Sequence, residues 1–163
     1  MKKKEDVKVI FLDFDGVITT KRSGYRIDYD KIDLLDLIIN KTNAKLVISS
    51  SWRSYDLEST IVDLRKNGFP KYLCDRIIGI TPRTYGYIYR DIINDERASI
   101  DIPRGCEIDY WMEHTDYNVI NYVILDDDTD MLYYQRNNFI QTDTYDGMSE
   151  ENALNAINIL NRM

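Results

Sequence analysis

Short apolar runs, most of them ending in polar residues, alternate along this chain with segments that repeat apolar residues at helical spacing. The first run, VKVIFLD, is rich in β-branched and aromatic residues and predicts a strand over about 8–13. Four later runs predict further strands: AKLVISSS, DRIIGIT, VINYVILDDD and FIQT. Because strands that alternate with helices form parallel sheets covered on both faces, the pattern predicts an α/β, Rossmann-like three-layer fold with a mainly parallel sheet.

The segments between and after the strands predict the helices. They are YDKIDLLDLIINKTN, DLESTIVDLRKNG, RGCEIDYWMEH, TDMLYYQRN and SEENALNAINILNRM. Asp30 is a candidate cap for the first, Gly68 ends the second, and Ser149 opens a capping box on the last. The stretch 81–103 shows no clear period. We expect one domain over 1–163, with 81–103 as a small lid or loop insertion.

Composition excludes several functional classes. Lys and Arg number 21 against 28 Asp and Glu, a formal net charge of -7, which argues against broad binding to duplex nucleic acid. The two cysteines, Cys74 and Cys106, are too few for a disulfide framework or a cysteine zinc site and favour a reducing compartment. No segment approaches the ~20 apolar residues of a membrane helix. We therefore expect a cytoplasmic protein with no membrane partner.

Three of the predicted strands end in residues that carry chemistry. Asp13 and Asp15 follow the first strand, Ser49–Ser51 the second, and Asp126–Asp128 the fourth. Ligands of parallel α/β sheets bind outside the carboxyl ends of the strands, so these side chains are expected to meet. Several carboxylates at one edge repel one another unless a divalent cation lies between them, and hard oxygen ligands suit Mg²⁺.

These motifs resemble those of the haloacid dehalogenase (HAD) superfamily, most of whose members are phosphatases. DFDGV at 13–17 is similar to the first motif, Ser49 in LVISS matches the second, and Asp126 and Asp127 in YVILDDD match the fourth. The third motif is the weakest match: Arg104 in PRGCEI is the candidate, with an ordinary surface arginine as the alternative. SSSWR, RGCEIDYW and VILDDDTDM also resemble small phosphatase domains found with nucleic-acid repair enzymes.

The resemblance implies a mechanism for each matched residue. Asp13 is the nucleophile that forms an aspartyl-phosphate, and Asp15 is the general acid and then the general base. Ser49 holds phosphoryl oxygens, and Arg104 neutralises charge on the transferring group. The implied Mg²⁺ ligands are Asp13, Asp15 (through its carbonyl), Asp126 and Asp127. Asp128 and Asp130 are expected to cap the helix that follows them.

The sequence indicates the type of reaction more narrowly than it indicates the substrate. Ser50, Arg53 and Gly16 are candidate substrate-binding residues, although Arg53 fits an exposed helix start equally well. In RTYGYIYR at 83–90, Tyr85, Tyr87 and Tyr89 alternate between basic residues, a pattern that suits either base stacking or an edge strand. In this superfamily caps follow the first or second motif, and residues 19–44 leave room for little beyond one helix and a loop. We therefore expect a minimal cap or none and an open site for a phosphorylated substrate, with a nucleotide or nucleic-acid end among the candidates. A phosphotransferase or mutase and a non-catalytic binding domain remain the alternatives.

Overall fold

Five parallel strands form one sheet among the residues that the computed structural model describes, which are 3–83 and 102–162. The strands are β1 (Asp6–Leu12), β2 (Lys45–Ile48), β3 (Ile77–Ile80), β4 (Asn118–Asp126) and β5 (Phe139–Gln141). The helices are α1 (Tyr29–Thr42), α2 (Leu57–Lys66), α3 (Lys71–Cys74), α4 (Arg104–His114) and α5 (Glu150–Leu160). The predicted α/β, Rossmann-like fold with a parallel sheet is therefore confirmed.

The strand order, β3-β2-β1-β4-β5, puts β1 at the centre of the sheet. The chain runs outward from β1 through β2 to β3, then returns to the other side of β1 to form β4 and β5. Leu12, the last residue of β1, pairs with Ile48 of β2 and with Leu125 of β4. The residues that follow these three strands consequently begin at the same edge of the sheet, where the strand order reverses.

Helices cover both faces of the sheet, and the side chains of β1 alternate between them. Ile10 and Leu12 belong to the larger apolar cluster, which also contains buried residues of α1, α2 and α5. Val9 and Phe11 point to the opposite face, where they pack with Ile108 of α4. All four strand residues are fully buried. A strand buried on both faces reads as a continuous apolar run, which is why VIFL shows no polar alternation.

Local details differ from the sequence-based predictions in three places. Asp28, not Asp30, caps α1, because its carboxylate accepts a hydrogen bond from the backbone N–H of Asp30. The one-turn helix α3 was not predicted. The predicted helix TDMLYYQRN is only a 3₁₀ turn over Tyr133–Gln135. The side chain of Gln135 accepts a hydrogen bond from the N–H of Leu132 and donates one to the carbonyl of Gly105.

The predicted lid lies mostly outside the described residues. The stretch 84–101 is not among the described residues, and it contains Tyr85, Tyr87, Tyr89 and Arg90. Arg83, which precedes it, donates hydrogen bonds to the carbonyls of Ser51 and Arg53. Among the helices in 3–83 and 102–162, none has the length and apolarity needed to cross a bilayer.

A buried ion pair joins α4 to the segment after β2. Arg53 Nη1 lies 3.0 Å from Glu107 Oε2, and the two side chains are only 5% and 8% exposed. The guanidinium also donates to the carbonyl of Ser50 and to both oxygens of Thr81. Burial lowers the pKa of Arg53, and the carboxylate of Glu107 opposes that shift. The pair thus holds the start of α4 close to the carboxyl ends of β2 and β3.

Removing one charge of this pair should destabilise the protein strongly. We expect Glu107→Ala to lower the free energy of unfolding by about 3–5 kcal/mol, because Arg53 is then a buried charge without its counter-ion. Urea denaturation measures the change. The matched control is Glu113→Ala, at an exposed position on the same helix. Its free energy of unfolding should stay within about 0.5 kcal/mol of that of the unmodified protein. Equal effects of the two substitutions would contradict the structural role of the pair.

Candidate active site

A cleft of about 520 Å³ opens at the edge of the sheet where β1, β2 and β4 end. Its lining is acidic over most of the floor, with one arginine and several small or hydroxyl residues. The lining residues are Asp13, Asp15, Gly16, Tyr25, Ser51, Arg104, Asp126, Asp127, Asp128, Asp130 and Thr144. The polar residues that follow β1, β2 and β4 therefore meet in one cavity.

The backbone turns sharply after β1 and so brings Asp13 and Asp15 to the same cleft. Asp13 still donates its N–H to the carbonyl of Leu125, as if the strand continued for one residue. The carbonyl of Phe14 then accepts three backbone hydrogen bonds, which close a tight turn. Gly16 has φ +82°, and a Cβ there would collide with the carboxylate of Asp127. Glycine is thus required both by the turn and by the close approach.

Asp13, Asp126 and Asp127 form a carboxylate cluster. One oxygen from each lies within 4.8 Å of the others, and Asp13 and Asp126 are 8% and 3% exposed. The hydroxyl of Thr144 donates to Asp127 Oδ2 at 2.9 Å, and the N–H of Asp128 donates to Asp126 Oδ1 at 2.9 Å. Three oxygen donors at this spacing can hold a divalent cation.

Burial and mutual repulsion oppose the ionisation of two of these carboxyl groups, Asp13 and Asp126. Burial raises the pKa of Asp13 to about 6, although the nearby guanidinium of Arg104 opposes the shift. Burial also raises the pKa of Asp126 to about 8, and the negative charge of Asp13 adds to that effect. A cation among these oxygens would favour the ionised forms of both groups.

Asp128 and Asp130 lie outside the cluster. Asp130 does contact a helix start, but the helix is α4, which precedes it in sequence. Its Oδ2 accepts from the backbone N–H of Arg104 at 2.8 Å. Asp128 Oδ1 accepts from the N–H of Thr129. The prediction that these residues cap the helix after them is therefore wrong, because the segment 129–135 forms no α-helix.

The carboxylate of Asp15 is held by two donors that reach the same oxygen. Thr19 Oγ1 donates to Asp15 Oδ1 at 2.7 Å, and Trp52 Nε1 donates to it at 3.1 Å. Thr19 is fully buried, and the Trp52 ring packs against Phe14 with ring centroids 5.1 Å apart. Both donors are thereby fixed in place. Asp15 belongs to the cleft but not to the carboxylate cluster, so its side chain is free for a role other than metal binding.

The serines after β2 occupy three different environments. Ser49 is 1% exposed, and its hydroxyl has no hydrogen-bond partner within 3–83 and 102–162. Ser50 is fully buried, and its hydroxyl acts on Asp13 to lower the pKa of that carboxyl. Ser51 lines the cleft. The backbone N–H of Ser49 donates to the carbonyl of Leu12, which anchors this segment beside Asp13.

Arg104 lies in the cleft, whereas Arg53 lies outside it. Arg104 lines the cleft at the first residue of α4, and its Nη1 is buried without a hydrogen-bond partner in the described part of the chain. An arginine nitrogen of this kind, facing an acidic cleft, can bind an anion brought by a ligand. Arg53 is absent from the cleft lining and is engaged by Glu107 and backbone carbonyls.

Sequence reasoning did not find four residues of this site: Thr19, Tyr25, Trp52 and Thr144. Thr144 had a detectable signal, because it follows β5 and so belongs to the same carboxyl edge as the other strand ends. Trp52 stood in the quoted SSSWR stretch, but its indole hydrogen bond spans 37 residues and depends on the fold. Thr19 and Tyr25 lie in a turn whose path only the structure reveals.

Comparison with known families agrees with this geometry. A family model described as the HAD domain in Swiss Army Knife RNA repair proteins matches residues 9–153, which include the last four residues of β1, all of β2 to β5 and every residue of the cleft. No curated protein and no solved structure matches the chain.

The raised carboxyl pKa values predict how stability depends on pH. The folded protein keeps protons on Asp13 and Asp126 that the unfolded chain releases near 3.8, so stability falls as the pH rises through about 6 and about 8. In buffer without divalent cations, we therefore expect Asp126→Asn to raise the free energy of unfolding by at least about 1 kcal/mol relative to the unmodified protein at alkaline pH. Thermal unfolding across pH checks this, with exposed Asp33→Asn as control. Parallel pH profiles for the Asp126 variant and the unmodified protein would refute it.

Proposed function

Because the chain belongs to the HAD domain family of Swiss Army Knife RNA repair proteins, we propose that it is a Mg²⁺-dependent phosphomonoesterase with Asp13 as its nucleophile. The observation that carries this proposal is the buried carboxylate cluster of Asp13, Asp126 and Asp127. A cluster of this kind has no stabilising role in an apolar core, since burying carboxylates without compensation is costly.

The donor set fits Mg²⁺. Carboxylate oxygens are the ligands that this ion prefers, and substrate phosphate commonly completes its coordination. The residues that would hold it are Asp13, Asp126 and Asp127, together with the backbone carbonyl of Asp15. Bound there, the ion supplies positive charge that reduces repulsion between the nucleophile and the phosphate.

The remaining chemistry belongs to the side chains of the cleft. A carboxylate oxygen of Asp13 attacks phosphorus in line, the bond to the ester oxygen breaks, and the phosphoryl group stays on Asp13. The guanidinium of Arg104 binds phosphoryl oxygens, which supports its role as the basic residue of the third motif. Ser51 lines the cleft that would receive the phosphate, whereas Ser49 is buried and does not line it.

Asp15 moves the protons in both steps. Its carboxylic acid protonates the leaving ester oxygen, and the resulting carboxylate takes a proton from the water that attacks the phosphoryl–Asp13 bond. Products are free phosphate and the alcohol, and Asp13 and Asp15 return to their starting forms. Because Thr19 and Trp52 both bond Oδ1, the other oxygen of Asp15 is the one that carries the transferred proton.

We propose that the natural substrate is a phosphate at the end of a nucleic-acid strand. The family is described by its occurrence in RNA repair proteins, which supports this class. The cleft is an open groove lined by exposed Tyr25 and Thr144, which suits a macromolecular end. A domain that only binds its ligand has no need of a second carboxylate two residues after the first, so Asp15 favours turnover.

Asp13→Asn should abolish hydrolysis and leave the fold intact. The amide has the same shape as the carboxylate but does not attack phosphorus, so we expect a loss of at least about 10⁴-fold in kcat. The measurement is phosphate release from a phosphorylated oligonucleotide with Mg²⁺ or with a chelator. Asp33→Asn, on the exposed face of α1, is purified in parallel and should retain activity. Full activity in the Asp13 variant would refute the mechanism.

Trp52→Phe tests how Asp15 is positioned. Phenylalanine retains packing against Phe14 but removes the indole donor, so we expect kcat to fall about 10-fold for alkyl phosphates that need a strong acid. Aryl phosphates with good leaving groups should lose less. In an Asp15→Ala background the same substitution should have little further effect. Equal losses for both substrate types, or additive losses in the double variant, would show that Trp52 acts only through packing.

A further inference from the structure

The turn formed by residues 20–26 brings an exposed tyrosine to the rim of the active-site cleft. Tyr25 lines the cleft while half of its surface (50%) remains exposed. Its φ is +58°, in the left-handed region, and it follows Gly24, whose φ is +65°. Glycine occupies such backbone positions readily, whereas a bulky aromatic residue does so only at a cost in conformational energy.

Packing does not account for this conformation. A side chain that is half exposed gains little from burial, so the core does not hold Tyr25 in place. The turn is instead fixed by its own hydrogen bonds: Tyr25 donates its N–H to the carbonyl of Thr20 at 2.8 Å, and Thr20 and Ser23 exchange backbone–side-chain bonds at 3.0 Å. Strained residues that remain exposed at a cleft are typical of ligand contacts.

Three basic residues lie in the same turn as this tyrosine, in contrast to the acidic floor of the cleft. Lys21, Arg22 and Arg26 belong to the same turn and are exposed. The guanidinium of Arg22 forms a salt bridge with Asp146 and lies 5.8 Å from the ring centroid of Tyr145, which follows the cleft residue Thr144, whereas Lys21 and Arg26 form no salt bridge within the described residues. An aromatic ring among cations suits a nucleic-acid strand, because the ring stacks on a base and the cations attract the phosphates.

We propose that Tyr25 is a specificity-determining residue whose ring stacks on the terminal nucleobase of a strand whose end phosphate lies at Asp13. The inference rests on the proposed phosphatase function, and it names the terminal nucleobase as the part of the leaving group that the protein recognises. Since the turn is already hydrogen-bonded, the backbone that carries the ring is ordered before the substrate binds, which limits the entropy lost on binding. Stacking tolerates any base, so the contact selects a nucleoside end without selecting a sequence.

The test compares two oligonucleotides with the same terminal phosphate. One carries a normal terminal nucleoside, and the other an abasic sugar at that position. The quantity of interest is the ratio of their kcat/KM values in Mg²⁺ buffer. We expect Tyr25→Ala and Tyr25→Gly to lower this ratio about 5- to 150-fold, mainly through the KM of the base-bearing substrate. Tyr25→Phe retains the ring and should preserve the ratio.

Two controls separate stacking from damage to the turn. Glycine adopts the φ of Tyr25 without strain, so a loss shared by the glycine and alanine variants is a loss of the ring. Tyr72→Ala removes a tyrosine of similar exposure, 55%, from α3, which precedes β3 and therefore lies at the opposite edge of the sheet. It should leave the ratio unchanged. An unaltered ratio in both Tyr25 variants, or an equal loss with the abasic substrate, would overturn the proposal.

Acetyl phosphate distinguishes this inference from the proposed function, because it is a reactive phosphate without a ring. If the unmodified protein with Mg²⁺ hydrolyses neither acetyl phosphate nor the oligonucleotides, the proposed function fails. The stacking proposal is then decided by fluorescence anisotropy, from the affinities of the two oligonucleotides for the unmodified protein and for Tyr25→Gly. Tighter binding of the base-bearing strand that disappears in Tyr25→Gly supports stacking, and equal affinities refute it.

Discussion

Buried negative charge at the end of β1 is the constraint on which the rest of the site depends. The parallel register puts Asp13 beside Ser49 and Asp126, and the turn at Gly16 brings Asp127 against the same point. Burial disfavours the ionised forms of Asp13 and Asp126 and raises their pKa values, and positive charge nearby opposes that shift. Arg104 supplies part of that charge, and the three carboxylates can hold a divalent cation that would supply more.

The position of Arg104 depends on the packing of α4. The Arg53–Glu107 pair ties the first turn of the helix to the segment after β2, and the carboxylate of Asp130 accepts the N–H of Arg104 itself. At Gly105 a Cβ would collide with the backbone of Leu132, so the helix approaches the chain after β4 as closely as backbone allows. Three separate contacts therefore position the start of α4, from which the Arg104 side chain extends, and Arg53 forms one of them.

The segment 15–28 combines two tasks in one hydrogen-bonded unit. Thr19 donates a hydrogen bond to the carboxylate of Asp15 and also forms an antiparallel bridge with Ile27, so the proposed general acid and the turn 20–26 are held by the same residue. Tyr25 projects from that turn at the rim. Local hydrogen bonds in this way order both the residue proposed to donate a proton and the turn that carries the residue proposed to contact the leaving group.

The sequence by itself determined the strands, the parallel α/β class and the acidic residues of the cleft, because apolar periodicity and strand-end chemistry are local properties of the chain. Asp13, Asp15, Asp126, Asp127 and Arg104 could all be predicted from motifs that resemble a known family. Tertiary structure alone decided that Arg53 is an internal counter-ion, that Asp130 contacts the helix before it, and that Trp52 reaches Asp15. These contacts span 54, 26 and 37 residues, so they depend on how separate elements pack, and no local pattern encodes that.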